Sequence, residues 1–242
     1  LIFALSSSCT DAPITLEGCL ALSKQQARLA RWWGIAPSEV RYTTRLGQID
    51  DPGCVDVHVM PDWSGEQFVG IPATDIAYHT VSSDGRPVCF ISWAAVQVNG
   101  GTLTGPGGLW SAIGHEMCES AIDPECDRLI ANPAGKMELV EVCDRIQGND
   151  YEEPGSEGIY LSDALGPAAW SLATPKDAAV SIASDLGKPV YGPFPLLPGG
   201  YYAPIDGPPV FGEAVSAIVR ERLTRLGARS GWVKALRALQ SR

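Results

Sequence analysis

Bases are scarce in this sequence. Lys and Arg number 18 against 28 Asp and Glu, a net charge of −10, and that balance argues against nucleic acid as a partner for the body of the chain. Long apolar runs are missing as well. None approaches the roughly 20 residues that cross a bilayer, so no membrane partner is expected. The opening stretch LIFALSSSC has five apolar residues and no basic flank. It is too short for an intact signal peptide and reads as the remnant of a trimmed one, with Cys9 a faint match to a lipid-attachment position. Paired cysteines are missing too: no CxxC occurs, and an odd count of seven cannot all pair within one chain. Cys118, Cys126 and Cys143 therefore read as small buried hydrophobes in a reducing compartment. TGPGG at 104–108 lacks the Gly-Lys-Ser of a phosphate loop, and neither Ser111 nor Ser120 stands in a G-x-S-x-G elbow.

What is present is enough apolar residue, 45% of 242, for one substantial core. Ser23 and Gln26 form a capping box, and Gly34 can stop a helix, so a helix is expected over 24–33. RYTTRLG (41–47) and CVDVHVM (54–60) read as strands from their β-branched residues. IAYHTV (76–81) and PVCFISWAAVQV (87–98) read as a hairpin about Asp84-Gly85. A helix follows from about Leu109 to Ala121, ended by Pro124. MELVEVCD (137–144) reads as extended, GNDYEEPGSEG as a polar loop, and the Pro/Gly-dense 187–209 as an irregular wrapping segment. Helices are expected from Glu213 to about Leu226 and over 232–239. The organisation is thus α+β, with a main domain at 1–186 and an extension at 187–242 packed on it. Charge is uneven: residues 116–163 hold thirteen acids and three bases, and from Arg220 onward seven bases face one acid. A basic tail of this kind reads as a solvated amphipathic helix or as a docking tail for an acidic partner.

The candidate chemistry lies in SAIGHEMCESAIDP, where His115, Glu116 and Glu119 spell HExxE. Residues four apart share a helix face, so His115 and Glu119 can offer an imidazole nitrogen and a carboxylate to one point. Zinc accepts both at about 2.0–2.2 Å. Glu116 projects about 100° round the helix from His115, where a general base sits beside a metal. A third ligand is needed. Glu141 is the first choice. Asp144 is either the ligand or the acceptor that orients His115, because residues three apart on an extended chain point oppositely. Asp123 reads as a helix-end carboxylate. Two carboxylates with one imidazole make a hard donor set, open to iron or manganese as well as zinc.

GHEMCESAIDP followed by ELVEVCD resembles the HExxE branch of the zincin-like metallopeptidases, whose members read roughly HExxExxxDP and then ExxD. These occur in bacteriophage genomes and, in related form, in secreted plant and microbial proteins. VEVCDRIQGNDYE, IYLSDALGPAAW and LLPGGYY are similar to the phage branch, and the likeness spans about residues 76–203. It implies a helix, a mixed twisted sheet with an antiparallel edge strand, and the motif helix behind it. It also implies His115 and Glu119 as ligands to Zn2+, Glu116 as base, and Glu141 with Asp144 as the downstream acidic pair. A phage origin implies a virion or host-cytoplasm location, with secretion as the alternative.

The expected function is zinc-dependent peptide hydrolysis on a peptide or protein substrate held against the 76–98 hairpin. The alternative is a virion structural or assembly protein with a degenerate or purely structural metal site, contacting other virion proteins through the basic tail. A metal-free secreted binding protein is a third reading. His58 and His79 sit in expected strands and read as packing residues, although His79 can reach a cleft from an edge strand. Tyr151 and Tyr160 are candidate oxyanion donors. Asp150, Glu152, Glu153 and Glu157 lack an EF-hand pattern and read as a solvated loop. Trp32, Trp33, Trp93 and Trp110 read as core.

Overall fold

The computed structural model describes residues 1–65, 68 and 71–212. The two helices expected after 212 and the basic tail lie outside the described residues. Among these, a five-stranded sheet carries the chain. Strands β1 (Ile2–Ser7), β2 (Glu39–Tyr42), β3 (Cys54–Met60), β4 (Ala77–Val81) and β5 (Pro87–Ser92) run in the order β2-β1-β3-β5-β4. The first four are mutually parallel, and β4 closes the edge antiparallel to β5. The fold is thus α+β with a mixed sheet.

The stretch weighed as a leader remnant is β1, a strand inside the sheet with Phe3, Ala4 and Leu5 fully buried. Its near-continuous apolar run is what a parallel strand covered on both faces needs. The expected strand at 54–60 forms as read, whereas that at 41–47 ends at Tyr42. The Asp84-Gly85 turn holds, with Gly85 at φ 84° and the Ser82 amide on the Arg86 carbonyl. The second half of the 87–98 run is a helix rather than a strand. Ser92 caps α2 (Trp93–Val98) by accepting from the Ala95 amide, and this hydroxyl cap turns the apolar run out of the sheet.

Helix α1 (Leu16–Trp33) starts well before the expected 24–33 because Thr15, not Ser23, is its N-cap. Thr15 accepts from the Gly18 amide, and Ser23 lies mid-helix with its hydroxyl on the Cys19 carbonyl. Gly34 ends the helix at φ 65°, the left-handed conformation glycine tolerates best. Helix α3 (Leu109–Ile122) packs against α1, β4 and β5. The two helices approach closely at Gly18, where a Cβ would stand 2.2 Å from the Trp110 ring. Leu22, Ile113 and Met117 are fully buried there with Val55, Val57 and Ile91 of the sheet, each apolar side chain contributing about 1.5–3 kcal/mol. Trp93 and Trp110 are core as expected, while Trp32 and Trp33 are half-buried and donate to Asp185 and the Leu165 carbonyl.

The second half of the described chain has little regular structure. Short pairs form between β6 (Leu129–Ala131) and β7 (Met137–Leu139), and between β8 (Asp150–Glu152) and β9 (Tyr160–Ser162). The expected polar loop at 148–158 is therefore partly a hairpin. Its acids are engaged separately: Asp150 accepts from the Gly107 amide, Glu152 from the Gly158 amide, and Glu153 takes a bidentate bond from Arg28. A further pair, β10 (Tyr201–Tyr202) and β11 (Val210–Phe211), closes the wrapping segment. That segment lies on the body through the Leu197 amide on the Arg145 carbonyl and the Phe194 amide on the Ala169 carbonyl.

Candidate metal centre

Sheet alternation decides what faces α3. His79 of β4 is in register with Cys89 of β5, and Cys89 meets Ser120 and the Glu116 carbonyl on α3. The neighbouring Tyr78 and Phe90 point to the other face, where they stack with Trp63 and Phe68 at centroid distances of 5.0–6.4 Å. The period of two therefore drives the His79 imidazole toward the motif helix. Of the two readings of His79, cleft residue prevails over packing residue. His58, by contrast, is a packing residue, hydrogen-bonded to Ser6 at 2.8 Å.

On α3, His115 and Glu119 share one face as the i,i+4 spacing requires, with His115 Nε2 3.2 Å from Glu119 Oε1. The downstream acids arrive by a turn. Val140, Val142, Cys143 and Ile146 are buried in a second apolar cluster, and the Cys143 amide donates to Glu119 Oε1 at 3.3 Å. After β7 the chain leaves extended geometry at Val142 and Cys143 and enters a 3-10 turn at Asp144–Ile146. The expectation that Glu141 and Asp144 face opposite ways fails for that reason, and both reach the cluster. Their order is also reversed. Asp144 Oδ1 lies 3.2 Å from His115 Nε2, whereas Glu141 Oε2 lies 3.7 Å from His79 Nε2.

Glu116 also turns to His79, with Oε2 3.2 Å from Nδ1, and Glu119 Oε2 stands 3.5 Å from the same nitrogen. Glu119 thus shows one oxygen to each imidazole. Two triads have ligand atoms all within 4.8 Å of one another: His115, Glu119 and Cys143, and His79, Glu116 and Glu119. Tyr201, in the wrapping segment, lies beside Asp144 and interacts with its carboxyl. Asp123 is structural as expected, accepting from the Asp127 and Arg128 amides. The Tyr151 hydroxyl accepts from Arg28 in the core, away from an oxyanion role, and Tyr160 stands opposite Glu152 on the hairpin.

The cluster is nearly dry. Side chains of His79, Glu116 and Glu119 are 6%, 7% and 4% exposed, and Glu141, at 21%, is the most open member. Burial alone would push the His115 pKa down, but Glu119 and Asp144 outweigh it and hold it well above the ordinary value. His79 follows the same pattern, burial opposed by Glu141, the Cys126 thiol, Glu116 and Glu119. Burial pushes Glu119 up, yet the two histidines draw it down to about 2. Burial and the neighbouring Glu119 raise Asp144 to about 6, and burial takes Glu141 well above the carboxylate range. Burial likewise keeps Cys143 a thiol.

These groups fit a divalent cation. His79 Nε2 and Glu141 Oε2 are shielded from solvent and have no hydrogen-bond partner among the described residues, a condition that calls for an explanation in a native interior. Charge-assisted hydrogen bonds are normally about 2.7–2.9 Å; the separations here run from 3.2 to 3.7 Å. Two ligand atoms each about 2.1 Å from one ion at a tetrahedral angle lie about 3.4 Å apart. These imidazole–carboxylate separations match the edges of such a coordination shell.

A pocket of about 370 Å³ lies elsewhere, lined by His58, Met60, Phe68 and Phe90 among others, and includes none of the clustered residues. With His58 already bonded to Ser6, it has no comparable set of reactive groups. Compared with known protein families, with curated proteins and with solved structures, the chain matches none.

Proposed function

We propose that this chain is a metal-dependent peptide hydrolase of the HExxE zincin-like type, related to bacteriophage proteins that carry HExxExxxDP and a downstream ExxD. The observation that carries the reading is the meeting of His115 Nε2 with oxygens of Glu119 and Asp144, each at 3.2 Å, beside Glu116 on the same helix. His115, Glu119 and Asp144 would hold the ion, zinc being the first choice for imidazole with carboxylate, and manganese or iron the others. Bound there, the ion supplies a Lewis acid for a peptide carbonyl and makes an attacking water more acidic. Glu116 accepts the water's proton and returns it to the leaving amine. Burial around Glu119 and His79 keeps bulk water away, and the more open Glu141 marks the side from which substrate enters. Tyr201 stands beside Asp144, where an outer contact can orient a ligand carboxylate. Strand β4, at the sheet edge, offers backbone groups to an extended peptide. A mixed sheet with an antiparallel edge strand beside the motif helix supports a zincin-like core.

The decisive comparison is peptide cleavage by the wild type and by Glu116→Gln at matched metal content. Loss of a general base lowers the rate about 10²–10⁴-fold. Equal rates with metal retained would end the enzyme reading. One observation favours the structural alternative, a virion protein whose ion serves stability. The side chains of His79 and Glu119 are almost wholly enclosed, as in closed structural sites. That alternative predicts no cleavage by either protein and a large fall in melting temperature on chelation.

A further inference from the structure

We infer that the cluster is built for two cations bridged by Glu119, the second one held by His79 Nδ1 with Glu116, while Glu141 faces the other ring nitrogen. The inference rests on the proposed metal site and extends it to a residue outside the HExxE pattern. Glu119 points Oε1 to His115 Nε2 at 3.2 Å and Oε2 to His79 Nδ1 at 3.5 Å. A carboxylate split between two imidazoles in this way is the geometry of a bridging ligand. Each half is complete enough to stand alone. His115 has Glu119 and Asp144, and His79 has Glu119 and Glu116 on Nδ1 and Glu141 facing Nε2.

His79 shows carboxylate oxygens to both ring nitrogens. One nitrogen can take the ion while the other keeps a carboxylate, the arrangement that orients ligand histidines. The pair without hydrogen-bond partners, His79 Nε2 and Glu141 Oε2, belongs to this second half. An ion on Nδ1 leaves the ring proton on Nε2, facing Glu141 Oε2, a tautomer that an ion at His115 alone does not fix.

Charge leads the same way. Four carboxylates, Glu116, Glu119, Glu141 and Asp144, meet two imidazoles in an almost dry site. With neutral imidazoles and all four carboxylates ionised, as ligands must be, one divalent ion leaves two negative charges in the site, and uncompensated buried charge is unfavourable. Two divalent ions balance all four carboxylates. Glu116 can bind through one oxygen and leave the other for the proton, so the second ion does not displace the proposed base.

The test is a count. Purified protein is stripped with chelator, loaded with Mn2+, which favours carboxylate and avoids the free cysteines, and freed of excess by gel filtration. The wild type is expected to retain two Mn2+ per chain with an exchange-coupled paramagnetic resonance spectrum. His79→Ala and His115→Ala are each expected to retain one, with the ordinary uncoupled six-line signal. A single uncoupled Mn2+ in the wild type, unchanged in His79→Ala, overturns the two-cation inference and leaves the metal site at His115 standing. No retained ion in the wild type, with Mn2+ or with Zn2+, overturns both. Should His79→Ala fail to fold by circular dichroism, the wild-type count and its coupling still decide the matter.

Discussion

Arg145→Met should be among the most destabilising single changes in the chain, and its effect should reach the candidate site. The guanidinium is 3% exposed and donates from Nε and Nη2 to Glu138 Oε1, at 2.9 and 2.5 Å, on a carboxylate that is 0% exposed. It also lies 4.0 Å from the Tyr202 ring centroid and 5.5 Å from that of Phe194, and donates to the Phe194 and Pro195 carbonyls. Arg145 is therefore the post on which the wrapping segment is tied, next to Asp144 in sequence. Methionine keeps much of the stem but leaves Glu138 buried with only the Asn132 amide. Breaking one side of a buried pair costs about 3–5 kcal/mol. For a chain of this size, each kcal/mol moves the melting temperature by about 2–4 °C, so a fall of roughly 6–20 °C is expected. The measurement is urea unfolding at neutral pH, with midpoint and slope fitted together. Glu138→Met added to Arg145→Met should recover a substantial part of the loss, since replacing both members by apolar groups is often near neutral. A loss under about 1 kcal/mol for the single change, or a double variant no more stable than the single, would refute the account of the pair as a buried anchor.

Two further outcomes follow from the packing and the buried charges. Gly18→Ala should lower stability by about 1–3 kcal/mol, because the new Cβ would meet the Trp110 ring at 2.2 Å; a thermal melt unchanged from wild type would mean the two helices are not in close contact there. Asp163 is 0% exposed and burial raises its pKa to about 6, although the Ala164 and Ala183 amides bond its Oδ1. A raised carboxyl favours the folded state most below the unfolded pKa, and that advantage is lost as pH rises through about 6. Relative to Asp163→Asn, the wild type should therefore lose roughly 2 kcal/mol between about pH 4 and 7; parallel stability curves over that window would contradict the shift.

Helical spacing made one half of the candidate site legible. His115 and Glu119 had to share a face once α3 was recognised, and the acidic run after it offered Glu141 first and Asp144 second, the reverse of their proximity to His115. Strands with sustained β-branched alternation, such as 54–60, were equally plain. The remainder depends on contacts that no short window contains. Strand β1 is defined by partners at 39–42 and 54–59, so in isolation it reads as an apolar stub. The 93–98 run is apolar enough for either strand or helix, and only the Ser92 cap decides it. His79 looked like any strand histidine until its register with Cys89 fixed which face met α3. The local hint was scarcity, three histidines in the chain. Glu141 and Asp144 were separated on the premise of an extended chain, and the turn at 142–143 removes that premise. Tyr201 comes from the irregular segment, where neither period applies, and meets Asp144 only through tertiary wrapping.

The central claim is that a divalent cation belongs among these side chains. Anomalous diffraction across the zinc edge, from crystals grown with Zn2+, tests it most directly. The account predicts a peak about 2.0–2.2 Å from His115 Nε2 and from oxygens of Glu119 and Asp144. Absence of a peak there, with His115 still hydrogen-bonded to Asp144 under saturating zinc, would contradict it.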